Sequence, residues 1–80
     1  MPKADEDLNF WVKSGNKAIL KKIAQLTRAI LEKPYEGIGK PEALKYALAE
    51  KWSRRINDEH RYIYLINDDE LVVYSLRGHY

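Results

Sequence analysis

The chain has 80 residues, a formal net charge of +2 and no cysteine. That length predicts one small domain over residues 1–80, burying only about 60 to 65% of the surface its unfolded chain exposes, so its stability margin is thin. The missing cysteines exclude a disulfide framework and a thiolate metal site, and His60 and His79 are too few and too far apart for a structural zinc.

No apolar run approaches the ~18 residues of a membrane span. The opening Met1-Pro2-Lys3-Ala4-Asp5-Glu6-Asp7 is acidic where a signal peptide is basic and then apolar. A soluble, cytoplasmic protein with no membrane contact is the expectation. Its positive charge is uneven: residues 1–61 hold 13 of the 14 Lys and Arg, and beyond them only Arg77 faces Asp68, Asp69 and Glu70. Local basic surface on a nearly neutral chain suits phosphate contact at a defined site better than broad coating of nucleic acid.

Asp5, Glu6 and Asp7 sit at the end of a first helix where the macrodipole favours negative charge, and Leu8, Trp11 and Val12 follow at i, i+3 and i+4 as its expected apolar stripe. Ser14-Gly15-Asn16 interrupts it, with Gly15 suited to the position after a helix end and Asn16 to the N-cap of the next. From Lys17 to Lys33 the apolar residues Ile19, Leu20, Ile23, Leu26, Ile30 and Leu31 keep a helical period, and Pro34 stops the pattern. These segments predict a helical hairpin with one shared apolar surface to cover. The second helix carries no Asn, Gln or Arg cluster in its first turn for reading base edges, which weakens a DNA-binding reading.

Pro34 to Pro41 is a loop rich in proline and glycine. Its Gly37-Ile38-Gly39-Lys40 follows a helix rather than a strand and lacks the rest of a nucleotide-binding fingerprint, so a phosphate loop is rejected. Glu42 to Leu48 is compatible with one helical turn or a short strand. Three strands follow, at about 51–57, 60–66 and 71–77, joined by Asp58-Glu59 and by Asn67-Asp68-Asp69-Glu70 as an antiparallel meander. If Ile66 and Leu71 close the second hairpin, then Ile63, Leu65, Val72, Tyr74 and Leu76 share the face expected to floor the helices, with Tyr62, Tyr64 and Ser75 opposite. The fold class is therefore α+β, an N-terminal helical hairpin on an antiparallel meander.

Candidate chemistry falls on Glu42, Lys45, Arg55, His60, Arg61, Arg77, His79 and Tyr80. Cleaving RNA through its own 2′-hydroxyl needs one group to accept that proton, one to protonate the departing 5′-oxygen, and cations on the phosphate as its charge grows. Each residue also has a plain structural role open to it: Glu42 could open a helix, His60 could be a hydrogen-bonded turn residue, and Arg54 could blunt an edge strand. Tyr62, Tyr64 and Tyr80 could offer stacking surface to a splayed base, or the first two could be packing residues. Register supplies a test for the arginines. An odd connection between the first two strands puts Arg55 and Arg61 on one face as a phosphate clamp, whereas a two-residue Asp58-Glu59 turn separates them.

Lys40-Pro41-Glu42, Leu44-Lys45, Trp52-Ser53-Arg54-Arg55-Ile56, Glu59-His60-Arg61 and the terminal Gly78-His79-Tyr80 together resemble the YoeB (Txe) toxins of the RelE-like toxin–antitoxin superfamily, from about Ala4 to Tyr80. The resemblance implies the RelE-like microbial RNase fold and a ribosome-dependent endoribonuclease that cuts messenger RNA in the A site. It implies Glu42 as general base, His79 as general acid and Arg61 as the main stabiliser of the transition-state phosphate, with Arg55 and Lys45 assisting and Tyr80 supporting the bound nucleotide. It also implies no metal or cofactor, a YefM-type antitoxin and a possible homodimer. Family members normally open with a β-strand ahead of the first helix, whereas here the acidic helix start arrives almost at Met1, which implies an open sheet edge and a smaller core. A non-catalytic RNA- or partner-binding module on the same scaffold is the alternative.

Overall fold

In a computed structural model that describes residues 2–45 and 50–78, the first helix, α1, runs Pro2–Ser14 and the second, α2, Lys17–Glu32. Asn16 caps α2 as its sequence requires, its Oδ1 accepting the Ile19 N–H at 3.2 Å, and Gly15 takes the left-handed φ of +69° that the turn demands. The buried stripe of α2 is Ile19, Ile23, Leu26 and Ile30, the inner part of the expected one, while Leu31 stays exposed.

The stripe of α1 is rotated from expectation. Ala4, Asp7 and Trp11 are buried, whereas Leu8 and Val12 are 40% and 56% exposed. Hydrogen bonding sets that rotation. The Asp7 carboxylate accepts the Leu76 N–H at 3.0 Å, and Trp11 Nε1–H donates to the Leu76 carbonyl at 2.9 Å. Residues four apart share a helix face, so both polar groups of one backbone residue are met by a single face of α1. The Asp7 carboxylate also bonds Lys3 Nζ at 2.7 Å.

Four strands follow: β1 (Glu42–Ala43), β2 (Trp52–Arg55), β3 (Arg61–Asn67) and β4 (Glu70–Ser75), in the order β1-β2-β3-β4 with every neighbour antiparallel. The meander is as expected, and Glu42, left open between helical turn and strand, begins a strand. β4 is an edge of this sheet. In the second hairpin Ile66 stands opposite Leu71 as supposed, and Asn67 opposite Glu70 closes it, with Asp68 and Asp69 at φ +50° and +65°, the positive-φ pair that a tight two-residue hairpin requires.

The face expected to floor the helices is the wrong one. Tyr62 and Tyr64, almost fully buried, join Trp11, Ile23, Leu26 and Ile30 in the core, with Ile66, Leu71 and Val73 packed against them. Ile63 and Leu65 point to the opposite face. The tyrosines can go inside because their hydroxyls are satisfied: Tyr62 OH shares a 2.7 Å hydrogen bond with Thr27 Oγ1, and Tyr64 OH donates to the Pro34 carbonyl. That removes them as a stacking surface for bases. Burial pushes both phenols above the ordinary tyrosine range, against the opposing pull of the Thr27 and Arg54 hydrogen bonds. A bulge completes the reversal. Tyr64 pairs with Val73 but Ile63 pairs with Ser75, so Tyr74 is an extra residue and Leu76 arrives on the helix side instead of beside Ile63.

The loop after α2 is stapled from below by Arg54, which is fully buried and not the blunting charge of an edge strand. Its guanidinium donates to the carbonyls of Lys33 (2.6 Å), Glu36 (2.9 Å) and Ile38 (3.2 Å), and its Nε donates to Tyr64 OH at 3.2 Å. Lys33 is the C-cap of α2, so this cation also sits at the negative end of a helix. Gly39 lets the loop press on the sheet: at φ +83° a Cβ there would lie 2.9 Å from Leu26 Cδ2 and 3.2 Å from the Arg55 carbonyl.

Candidate active site

The face of the sheet turned away from α2 carries the candidate residues. Cross-strand pairing aligns Glu42 with Ser53, Ser53 with Ile63 and Ile63 with Ser75, a row that crosses all four strands on one face. One step along, Arg55 stands directly opposite Arg61. Residues 56–60 intervene, so the connection is odd and the two arginines share the face of Glu42, as a phosphate clamp requires. From strand spacing and rise, the Glu42 and Arg61 Cα atoms are roughly 12 Å apart, within combined reach of a carboxylate and a guanidinium acting on either side of one nucleotide linkage.

The connection is longer than the predicted Asp58-Glu59 turn because Asn57 builds a local turn after Ile56, which is buried in the core and donates its N–H to the His60 carbonyl at 3.0 Å. Asn57 Oδ1 accepts the N–H groups of Glu59 and His60 at 2.9 and 2.8 Å. The loop carbonyls then converge on Arg61. Its Nη1 donates to Asn57 O at 2.8 Å, His60 O at 3.1 Å and Asp58 O at 3.4 Å. Those bonds hold one corner of the guanidinium. Among the described residues no carboxylate lies within ion-pair distance of Arg55 or Arg61; the ion pairs are Lys3 with Asp7 and Lys33 with Glu36. Two like charges facing each other across a ladder repel, and a bound anion would relieve that cost.

Lys45 is exposed two residues beyond β1, and no hydrogen bond or ion pair among the described residues ties its side chain to the arginines. His79 and Tyr80, the expected acid and nucleotide support, lie outside the described residues. The remaining candidates have structural partners. His60 Nδ1 accepts the Gly78 N–H at 3.0 Å, which is the hydrogen-bonded turn role, and its ring meets Trp11 edge-on at 4.8 Å. Arg77 stacks on Phe10, its guanidinium carbon 3.6 Å from the ring centroid. Sequence reasoning missed Asp7, whose carboxylate serves the backbone of Leu76, and Ser75, whose hydroxyl donates to the Arg77 carbonyl at 3.0 Å. Neither residue type announces such a role, because both partners are backbone groups, and that of Asp7 lies 69 positions along the chain.

The family described as YoeB-like toxin of bacterial type II toxin–antitoxin system matches residues 1–80. The Toxin YoeB of Synechocystis is 50% identical over 71 residues, 89% of this chain and 83% of that protein. A YoeB–YefM complex from Staphylococcus aureus contains a chain 42% identical to this one, superposing with a TM-score of 0.91 over 100% of this chain and 92% of its own. A YoeB dimer from the same organism gives 41% identity and a TM-score of 0.90 with the same coverage. The two helices and four-stranded antiparallel sheet of this chain thus match the fold of these toxins, and the family match spans the arginine pair and Glu42 alike. The chain belongs to the YoeB family of toxins of bacterial type II toxin–antitoxin systems.

Proposed function

We propose that this toxin is a ribosome-dependent endoribonuclease, acting in the cytoplasm on messenger RNA in the ribosomal A site. The carrying observation is the Arg55–Arg61 pair, two cations opposed across one ladder with no carboxylate partner among the described residues and with Glu42 on the same face. In this reading the Glu42 carboxylate accepts the proton of the 2′-hydroxyl, whose oxygen attacks the adjacent phosphorus. Arg61, held at one corner by the loop carbonyls, meets the charge that grows on the phosphoryl oxygens, and Arg55 and Lys45 assist. His79 gives a proton to the departing 5′-oxygen, while Tyr80 supports the nucleotide. Proton acceptor, proton donor and cations are all side chains of this chain, so the reading calls on no metal or cofactor.

The family supplies the expected partners. The solved YoeB–YefM complex and YoeB dimer support a YefM-type antitoxin and self-association for this chain. Primer extension on a defined messenger in a reconstituted translation system, with and without ribosomes, tests the activity. Cuts confined to A-site codons and seen only with ribosomes are the expected result. Ribosome binding without cuts would replace it with the non-catalytic binding module.

A further inference from the structure

We infer that His60 is a positioning residue for the carboxy-terminal dipeptide, acting through the hydrogen bond that its Nδ1 accepts from the Gly78 N–H. The inference rests on the role proposed above for His79. Gly78 is held on both of its polar groups by two consecutive residues: its N–H donates to His60 Nδ1 at 3.0 Å, and its carbonyl accepts the Arg61 N–H at 2.8 Å. That carbonyl belongs to the peptide leading into residue 79, so both bonds act on the residue immediately before the dipeptide. Glycine at φ +93° is the least restrained residue the chain could place there, with nothing within 4 Å of where a Cβ would stand. External bonds, not intrinsic stiffness, define its conformation.

Two residues earlier, Leu76 is held on both of its polar groups by Asp7 and Trp11 of α1. Trp11 also fixes the His60 ring from the other side, at 4.8 Å and 75°. The imidazole is therefore braced by packing and aimed by one acceptor atom. Accepting an amide N–H at Nδ1 requires that nitrogen to be unprotonated, which assigns the Nε2–H tautomer. The same two residues also hold the phosphate cation, because Arg61 Nη1 donates to the His60 carbonyl at 3.1 Å. One short stretch of backbone, residues 60 and 61, thus holds both the guanidinium and Gly78. Misplacing a reacting group by about 1 Å can cost on the order of 100-fold in rate.

The test compares His60→Asn, whose Oδ1 falls near the position of Nδ1 and accepts the same bond, with His60→Leu, which accepts none. Single-turnover cleavage of a ribosome-bound messenger is measured at saturating toxin, alongside ribosome affinity and melting temperature. His60→Leu is expected to lose roughly 10- to 100-fold in rate, and His60→Asn to stay within about 3-fold of the unmodified chain, both with ribosome affinity unchanged. Equal losses in the two variants, or a full rate for His60→Leu, overturn the inference. Long-range proton–nitrogen NMR of the unmodified chain at pH 7.5 needs no variant: an Nε2–H ring supports the clamp, and an Nδ1–H ring or an imidazolium overturns it even where His60→Leu does not fold. An unmodified chain that never cuts overturns the proposed activity itself, and with it the catalytic consequence of the clamp. A cutting chain in which the variants behave alike overturns the positioning role alone.

Discussion

Replacing Arg54 by methionine tests whether one buried cation organises the passage from helix to sheet. The guanidinium reaches three carbonyls of the loop and the Tyr64 hydroxyl, with no ion-pair partner among the described residues. Hydrogen bonds to a charged group are worth about 1.5–3 kcal/mol each, but they are not additive. Lys33, Glu36 and Ile38 lie in an exposed loop where water can replace the lost donor, and removing the cation also removes its own desolvation cost. The buried end is the expensive one. Balancing these terms leaves a loss of about 3 kcal/mol, against a total of roughly 4–12 kcal/mol for a chain of this length.

At about 4–8 °C per kcal/mol for a domain of this size, Arg54→Met should melt roughly 12–24 °C below the unmodified chain by circular dichroism. Arg54→Lys should recover less than half of that, since a single ammonium cannot span a fork of separated acceptors. A drop under about 4 °C for Arg54→Met, or full recovery by lysine, would refute the reasoning: the loop would then be held by its own prolines and glycines.

Gly39→Ala should destabilise the chain by about 1–3 kcal/mol in urea unfolding, because the added methyl meets Leu26 and the Arg55 carbonyl at a φ of +83°. Tyr62 and Tyr64 have folded-state pKa values raised by burial, so the folded chain keeps their protons where the unfolded chain has released them. Their contribution is complete below the unfolded tyrosine pKa and lost as pH rises through the folded values. Stability measured from pH 8 to 11.5 should therefore fall above about pH 10, and the double Tyr62→Phe, Tyr64→Phe chain should show a flatter alkaline slope. Under the proposed activity, Arg61→Ala should cut the single-turnover rate by about 10²–10³, and Arg55→Ala by less, with folding unaffected by either in a melting scan. Loss of the fold in Arg61→Ala would show that its loop bonds matter more than its charge.

Local signals were legible in the sequence wherever the cause lies within a few residues. The helical period from Ile19 to Ile30, the Asn16 cap, Gly15 and Pro34 define α2 without reference to anything distant. The cross-strand pairing of Arg55 with Arg61 was open to a parity argument because only the loop length mattered. The sheet faces were not. Simple alternation put Leu76 with Ile63, and the extra residue Tyr74 moved it to the other side. Arg54 and Asp7 were misread or missed for a related reason: each bonds backbone groups that folding brings from 16 to 69 positions away. No pattern in their own neighbourhoods encodes those partners.

The bulge in β4 makes that strand a segment written in two phases, with Leu71 and Val73 in step before Tyr74 and Leu76 in step after it. Deleting residue 74 would remove no core side chain and would restore plain alternation, with Ser75 still opposite Ile63 and Leu76 still on the helix side against Asp7 and Trp11. The pairing therefore tolerates a chain one residue shorter at this point. Random substitution at 74 should be widely tolerated, and a chain lacking residue 74 should keep the fold.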